Sequence, residues 1–174
     1  PPAVAAGNVV NIGTNAQAAG GFAQDFSDTI ALVEADGFDP TGAVAARTIK
    51  GRLRGTRATT GERILEIDLS NNSVDGIPIR YPMRGQWPTG SGAAQLVVGD
   101  FSEGIIGIRQ DLTYKVLDQA VITDNTGAII FNLAQQDMVA LRVVARFGYQ
   151  VSNIVNWDQP TEANRFPFGV LRNA

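Results

Sequence analysis

Three carboxylates that lie close together in the sequence are the residues best suited to catalysis. Asp100 and Glu103 follow the segment "LVVG", and Asp111 comes one short segment later. Two carboxylates in a cleft can divide the general-acid and general-base steps of a hydrolysis. An Asp after a Gly is more often turn chemistry, because its side chain can accept a hydrogen bond from the backbone two residues on. A hydrolase would need a deep pocket around these groups.

The other residue types that carry catalysis are missing from the chain. It contains no cysteine and no histidine, which excludes thiolate nucleophiles, disulfides, Ser-His-Asp triads and the commonest metal ligand. The segment "GSGAAQ" at residues 90–95 lacks the lysine of a phosphate-binding loop and precedes a strand, where such a loop precedes a helix. We predict no catalytic residue, no metal site and no cofactor.

A run of positive charge is the second candidate site. Six of the fourteen Lys and Arg residues lie between Arg47 and Arg63. Such a run can contact nucleic acid or an acidic protein surface, or it can be the solvated face of a helix. No aromatic residue alternates with these arginines to stack on bases. The net charge of −3 also argues against a general nucleic-acid-binding surface.

The composition indicates a folded chain rich in strands and turns. A length of 174 residues suits one domain, or one large and one small unit, and nineteen glycines with eight prolines favour strands over a helical bundle. No segment is apolar over the roughly 18 residues of a membrane helix. The N-terminal segment lacks the basic start of a signal peptide. Because the chain begins at Pro1 without Met, we expect a processed product or a fragment.

Periodicity predicts an α+β fold whose first half mixes helices with short strands. Phe26, Ile30 and Val33 recur at helical spacing, and Gly37 stands where a helix-terminating glycine belongs. Pro78 cannot donate to a ladder, so its strand should lie at a sheet edge or begin there. The predicted elements are a strand at 9–12, a helix at 25–36, a strand at 43–46, a helix at 48–57, an alternating segment at 64–69, a strand around Pro78 and a buried strand at 93–99.

The second half should be dominated by strands. β-branched and aromatic residues prevail at the end of "MVALRVVARFGYQV", which favours one long strand, although its first half also suits a helix. The "DNTG" segment predicts a turn between two short strands. The predicted elements are strands at 105–108, 112–117, 121–122, 128–131, 138–151 and 153–157, followed by a tail over 158–174.

In order along the chain, these segments resemble the C-terminal half of a tailed-bacteriophage major capsid protein, with the Hong Kong-type shell fold that encapsulins share. The resemblance is carried by "VDGIPIRYP", "AAQLVVGDFSEGIIGIRQDLTYKVLDQA" and "FNLAQQDMVALRVVARFGYQVSN". The family has a Gly-x-Pro-Val/Ile step, a strand ending in Gly-Asp-Phe, a strand with Gly-x-Arg, an acidic-ended strand and a long strand reading Asp-x-Val-Ala-Leu-Arg. The matching residues are 76–79, 99–101, 106–109, 112–118 and 137–142.

The resemblance implies an α+β shell fold with an axial domain near the capsomer axis and the C-terminal part of a peripheral domain. It predicts a connector at 1–24, the axial domain at 25–100, peripheral-domain strands at 101–151, and a return strand with a C-terminal tail at 152–174. The segment "DFSEG" would then carry the chain from the axial to the peripheral domain. The family's N-terminal arm, extended hairpin loop and spine helix have no counterpart in these residues.

The function implied is that of a structural subunit of an icosahedral phage or prophage capsid, which self-assembles into hexamers and pentamers that enclose DNA. Its partners would be copies of itself, with scaffold and portal proteins; packaged DNA would be contacted only indirectly, and no membrane is involved. Its location would be the virion, after synthesis in the bacterial host cytoplasm. The alternatives are an encapsulin-type compartment shell and a β-rich binding or hydrolase domain that uses Asp100 and Glu103. The residues predicted at subunit contacts are Arg47, Arg52, Arg54, Arg57, Asn71 and Asp75.

Covalent cross-linking is one family property that this sequence does not favour. Some members join their subunits through a Lys–Asn isopeptide bond, promoted by a Glu on the long returning strand. This chain has no Glu between Glu103 and Glu162, and its matching strand carries Arg142 and Arg146. We therefore do not expect that cross-link.

Overall fold

The computed structural model describes residues 2–57, 60–61, 71–83, 87–88 and 90–174. The chain folds into two compact units: unit 1 holds residues 1–104 and 151–174, and unit 2 holds residues 105–150. The described helices are α1 (Pro2–Ala5), α2 (Gly21–Ala35), α3 (Arg47–Gly55) and α4 (Leu133–Gln136). The described strands are β1 (Val9–Asn11), β2 (Gly42–Ala45), β3 (Ser73–Val74), β4 (Ile77–Arg80), β5 (Ala94–Gly99), β6 (Gly104–Leu117), β7 (Val121–Thr123), β8 (Ile129–Asn132), β9 (Ala140–Val151) and β10 (Phe168–Arg172).

Unit 1 is built on a six-stranded mixed sheet in the order β1-β10-β5-β2-β4-β3. Strand β5 runs antiparallel to both of its neighbours, β10 and β2. Strand β1 is parallel to β10, and β4 is parallel to β2. Leu96 and Val98 on β5 and Leu171 on the adjacent strand β10 are fully buried. The core of unit 1 therefore joins residues from both ends of the chain.

Helix α2 packs on this sheet because its apolar residues share one face. Phe26, Ile30 and Val33 are spaced i, i+4 and i+7, and all three are buried. Burial of a side chain of this size contributes roughly 1.5–3 kcal/mol relative to exposure. Gly169 in β10 permits the close approach of the helix, since a Cβ there would lie 2.9 Å from the carbonyl oxygen of Thr29.

Unit 2 contains two strand pairs, β6 with β9 and β7 with β8, and the short helix α4. The β7–β8 pair is antiparallel and is joined by the predicted "DNTG" turn. Asp124 closes this turn, because its Oδ1 accepts the backbone N–H groups of Thr126 at 2.8 Å and of Ala128 at 2.9 Å. The Thr126 hydroxyl also donates to Oδ1, at 2.7 Å. Led by that hydroxyl bond, these interactions lower the pKa of Asp124.

The C-terminal segment is where the structure differs most from the sequence predictions. The strand expected at 153–157 is not formed, and the segment expected to be a tail contains β10. Strand β10 lies between β1 and β5, with Val170 and Leu171 buried. A five-residue strand flanked by irregular backbone carries little local signal, so only its partners, distant in the sequence, identify it.

Three smaller differences concern the number and the boundaries of the elements. The two strands expected at 105–108 and 112–117 are one strand, β6, and the short helix α4 was not predicted. Helix α2 is confirmed but begins at Gly21, four residues earlier than expected.

Pro78 does not place its strand at the sheet edge, because β4 lies between β2 and β3. The pairing with β2 begins at Ile79, one residue after the proline. The missing N–H of Pro78 therefore costs no bond in that ladder.

The alternating segment expected at 64–69 and the cation Arg63 lie outside the residues that the structure describes. Within the described ranges, no helix has the length and apolar character needed to cross a membrane.

Candidate functional site

Asp100 serves as a turn residue. Its Oδ1 accepts the backbone N–H of Ser102 at 2.9 Å and the Ser102 hydroxyl at 2.7 Å. This is the Asx-type turn that an Asp after Gly99 predicts. Glu103 follows in a short 3-10 helix, where its carbonyl oxygen accepts the Ser152 N–H at 2.9 Å. Asp111 lies exposed on β6 of unit 2. These contacts account for Asp100 without any catalytic role.

Helix α3 presents a positively charged face to solvent. Its apolar residues Ile49 and Leu53 are buried in the core of unit 1, which fixes the orientation of the remaining positions. Arg47, Lys50 and Arg54 recur at i, i+3 and i+7, so they lie on one side of the helix. They line an open cavity of about 680 Å³, which we call the cationic recess. Its lining residues are Arg47, Lys50, Gly51, Arg54, Asn72, Ile79, Arg80 and Tyr81.

One cation of the recess is held in place by its neighbours. Lys50 Nζ donates to Asn72 Oδ1 at 2.8 Å and lies 5.4 Å from the centroid of the Tyr81 ring. The Tyr81 hydroxyl is buried and has no hydrogen-bond partner in the described part of the chain. Burial raises the pKa of this hydroxyl.

Among the described residues, the other three cations of the recess have no recorded partner. For the residues that the structure describes, it records no ion pair and no side-chain hydrogen bond of Arg47, Arg54 or Arg80. Because four positive charges border one cavity without a carboxylate among these neighbours, the recess is suited to an anionic group. Arginine matches carboxylate or phosphate oxygens best, through its planar fork of donors.

The six residues predicted at subunit contacts are distributed over this surface. Arg47 and Arg54 line the recess, and Arg52 lies exposed elsewhere on α3. Arg57, Asn71 and Asp75 are also exposed. Asp75 adopts a left-handed conformation with φ of 55° in the turn between β3 and β4.

Arg80 and Tyr81 also belong to the recess, and the sequence did not single them out as contact residues. Lys50 and Asn72 lie within the predicted contact regions at 47–63 and 71–75, although neither was named individually. Some of these residues could have been identified from the sequence and others could not. Lys50 shares the helical spacing of Arg47 and Arg54, so the pattern contained it. Arg80 and Tyr81 reach the recess through the sheet, and no local pattern marks them.

A second exposed surface lies on the β6–β9 ribbon of unit 2. Apolar and polar residues alternate along both strands, as in a sheet with one face buried. A Cβ on Gly107 would lie 4.0 Å from the carbonyl oxygen of Gly148, which places these two residues opposite each other. Nine large apolar residues of the two strands then share one face, and each is 49–70% exposed. This apolar face comprises Ile106, Ile108, Leu112, Tyr114, Val116, Leu141, Val143, Phe147 and Tyr149.

Comparisons with known proteins all give one class. The sequence model of the phage capsid family matches residues 4–154. The chain is 31% identical over 144 residues to the major capsid protein of Staphylococcus phage 80alpha, covering 80% of this chain and 43% of that protein.

Two solved structures support the same comparison. The chain superposes on a protein of Microbacterium phage Oxtober96 with a TM-score of 0.79 and 31% identity, covering 100% of this chain and 54% of that one. A protein of Mycobacterium phage Bobi gives a TM-score of 0.79 and 30% identity, with 100% and 53% covered. The chain thus spans about half the length of these relatives.

Proposed function

This chain belongs to the phage capsid family, and from that premise we propose that it acts as a structural subunit of a phage or prophage shell. The predicted α+β shell fold is confirmed by the likeness to the two phage structures. Membership of this family implies a structural role rather than an enzymatic one. The subunits would join through heterologous contacts, in which one patch meets a different patch on the next copy, and close into rings of six and five.

The single observation that carries this proposal is the apolar face of unit 2. Soluble monomers rarely leave so large a continuous apolar surface in contact with water. Since the relatives are about twice as long, we propose that polypeptide outside these 174 residues covers the face in the intact subunit, meaning the whole product of the gene. Unit 2 would then be completed within a shell subunit.

Unit 1 contains the predicted axial residues 25–100 together with the predicted connector and C-terminal tail, and unit 2 contains most of the predicted peripheral-domain strands. We propose unit 1 as the axial domain and unit 2 as the peripheral-domain strands. The boundary after Gly104 follows the "DFSEG" segment, where the motif order places the crossing. In support of axial contacts, the six residues Arg47, Arg52, Arg54, Arg57, Asn71 and Asp75 are all exposed to solvent.

The wider setting follows from the same proposal. The shell would enclose DNA without using it as a specific ligand, and scaffold and portal proteins would be its further partners. The subunit would be made in the bacterial cytoplasm and reside in the virion. An encapsulin-type compartment is not favoured, because the matched relatives are phage proteins.

Negative-stain imaging of the expressed intact subunit tests the proposal. We expect closed shells, together with free hexamers and pentamers. Persistence of soluble monomers at high protein concentration would contradict the proposed function. The content of purified particles separates the two kinds of shell, since packaged DNA indicates a virus and packaged enzyme indicates a compartment.

A further inference from the structure

We propose that the cationic recess of unit 1 receives carboxylates from an adjacent copy of this chain. The carboxylates come from an acidic cap at the C-terminal end of α2, comprising Glu34, Asp39 and Asp158. This inference rests on the proposed function, because it concerns the contact between neighbouring subunits. Beyond the proposed function, it identifies the two surfaces that meet, the recess of one copy and the acidic cap of the next.

The positive charge at the N-terminal end of α3 is unfavourable for the helix. Arg47 and Lys50 lie in the first turn of the helix, where the positive end of the helix dipole repels cations. Arg54 and Arg80 add two more cations around the same cavity. A carboxylate that enters the recess relieves this repulsion and gains charge-assisted hydrogen bonds from the arginines.

The acidic cap shows the opposite arrangement. Glu34 lies exposed in the last turn of α2, and Asp39 lies exposed just after the turn at Gly37. Asp158 lies against the same turn, because a Cβ on Gly37 would be 2.9 Å from its Oδ2. The C-terminal end of a helix carries the negative end of its dipole, which disfavours all three carboxylates.

A fourth carboxylate nearby is used inside the molecule and so is not part of the cap. Asp36 is buried, and its Oδ2 accepts Asn8 Nδ2 at 2.6 Å and the Phe166 N–H at 2.9 Å. The three cap residues have no ion pair with any described residue. The cap therefore presents negative charge that no described residue of the same copy neutralises in an ion pair.

Arg47 and Lys50 of the recess and Glu34 of the cap thus carry charges that their own helix ends disfavour. The two surfaces have opposite charge, so each suits the other. Such violations of local preference are typical of functional sites. One copy carries both surfaces, so recess-to-cap pairing repeats from subunit to subunit as a heterologous contact requires. Phosphate is the competing ligand, but Lys50 already covers the Tyr81 ring, which leaves no stacking platform for a base. The negative net charge also favours the carboxylate.

Charge reversal in the intact subunit tests the pairing. Variant R carries Arg47→Glu and Arg54→Glu, and variant A carries Glu34→Lys and Asp39→Lys. Each sets like charges against each other across the contact, so we expect at least a tenfold loss of capsomers by native mass spectrometry. A chain with all four substitutions reverses both sides and should recover wild-type assembly. Circular dichroism and thermal unfolding would verify that each variant is folded.

A mixture of the two variants gives a sharper result. In an alternating ring, the recess of variant R faces the cap of variant A, and the unaltered recess of A faces the unaltered cap of R. Every contact is then complementary, but alternation is possible only with an even number of subunits. The mixture should therefore form hexamers and no pentamers.

The outcomes separate this inference from the proposed function. If the wild type assembles and variants R and A assemble equally well, the recess-to-cap pairing is wrong and the shell function stands. Failure of the four-substitution chain to recover, with its fold intact, also overturns the pairing. Loss of packaged DNA with capsomers unaffected would assign the recess to phosphate instead. A wild type that never assembles refutes both.

Discussion

Gly99 is the residue at which the fold tolerates a side chain least. It lies opposite Phe168 in the β5–β10 pair. A Cβ there would lie 2.6 Å from Phe168 Cδ1 and 2.8 Å from Phe168 Cα, and would overlap the carbonyl oxygen of Pro167. We expect Gly99→Ala to lower the free energy of unfolding by about 1–3 kcal/mol, because β5 and β10 must separate to admit the methyl group.

Urea unfolding measures this effect, and Gly51 offers the matched control. A Cβ on Gly51 meets open space in the middle of α3. Gly51→Ala should raise the free energy of unfolding by roughly 0.5–1 kcal/mol, since alanine loses less conformational freedom in a helix. Equal destabilisation by both substitutions would contradict the role given to Gly99.

The hydrogen bonds of Asp124 predict that the stability of the turn between β7 and β8 depends on pH. Hydrogen bonds, the Thr126 hydroxyl first, lower its pKa in the folded chain, so the carboxylate form is favoured by folding. The stability it contributes is present above the pKa of an unfolded Asp and is lost as the pH falls through the folded pKa. Carboxyl NMR titration should give a midpoint below that of an ordinary Asp. Thr126→Val should raise this midpoint, whereas Thr123→Val, which removes no bond to Asp124, should leave it unchanged.

Among the elements, those with local periodicity were predictable from sequence. Helix α2 was found because Phe26, Ile30 and Val33 lie on one face whatever surrounds them. The "DNTG" turn and strand β9 were found from residue types alone. Strand β10 was missed because its burial is created by β1 and β5, which lie far away in the sequence. Only part of the cationic recess could be predicted from sequence. The cations of α3 share a helical spacing, whereas Arg80 joins them through the pairing of β4 in the sheet, which no local pattern shows.

The apolar face of the β6–β9 ribbon makes a prediction for the 174-residue chain on its own. Because its side chains are largely exposed, the face should bind an apolar fluorescent dye such as ANS. Ile108→Ser with Phe147→Ser should reduce the dye fluorescence severalfold, since each removes a large exposed apolar group. Arg109→Ser with Arg146→Ser, on the opposite side of the ribbon, should leave it unchanged. Dye binding that is insensitive to the first pair would place the exposed apolar surface elsewhere.

For the whole molecule, the two exposed surfaces predict different responses to salt. Contacts between exposed charges weaken as the screening length falls from about 10 Å at 0.1 M to about 3 Å at 1 M ionic strength. Burial of apolar surface does not weaken in this way. Capsomer assembly of the intact subunit should therefore decline between 0.1 M and 1 M NaCl, as followed by light scattering, while coverage of the apolar face persists.

Neutralising the recess separates these two contributions to assembly. Arg47→Gln with Arg54→Gln removes two of the four charges around the cavity and keeps side chains that can still donate hydrogen bonds. This variant should assemble more slowly at 0.1 M NaCl than the wild type, because charge complementarity mainly accelerates encounter. At 1 M NaCl its rate should equal that of the wild type, where screening has already removed the attraction. An unchanged salt dependence in the variant would mean that the screened contact lies outside the recess.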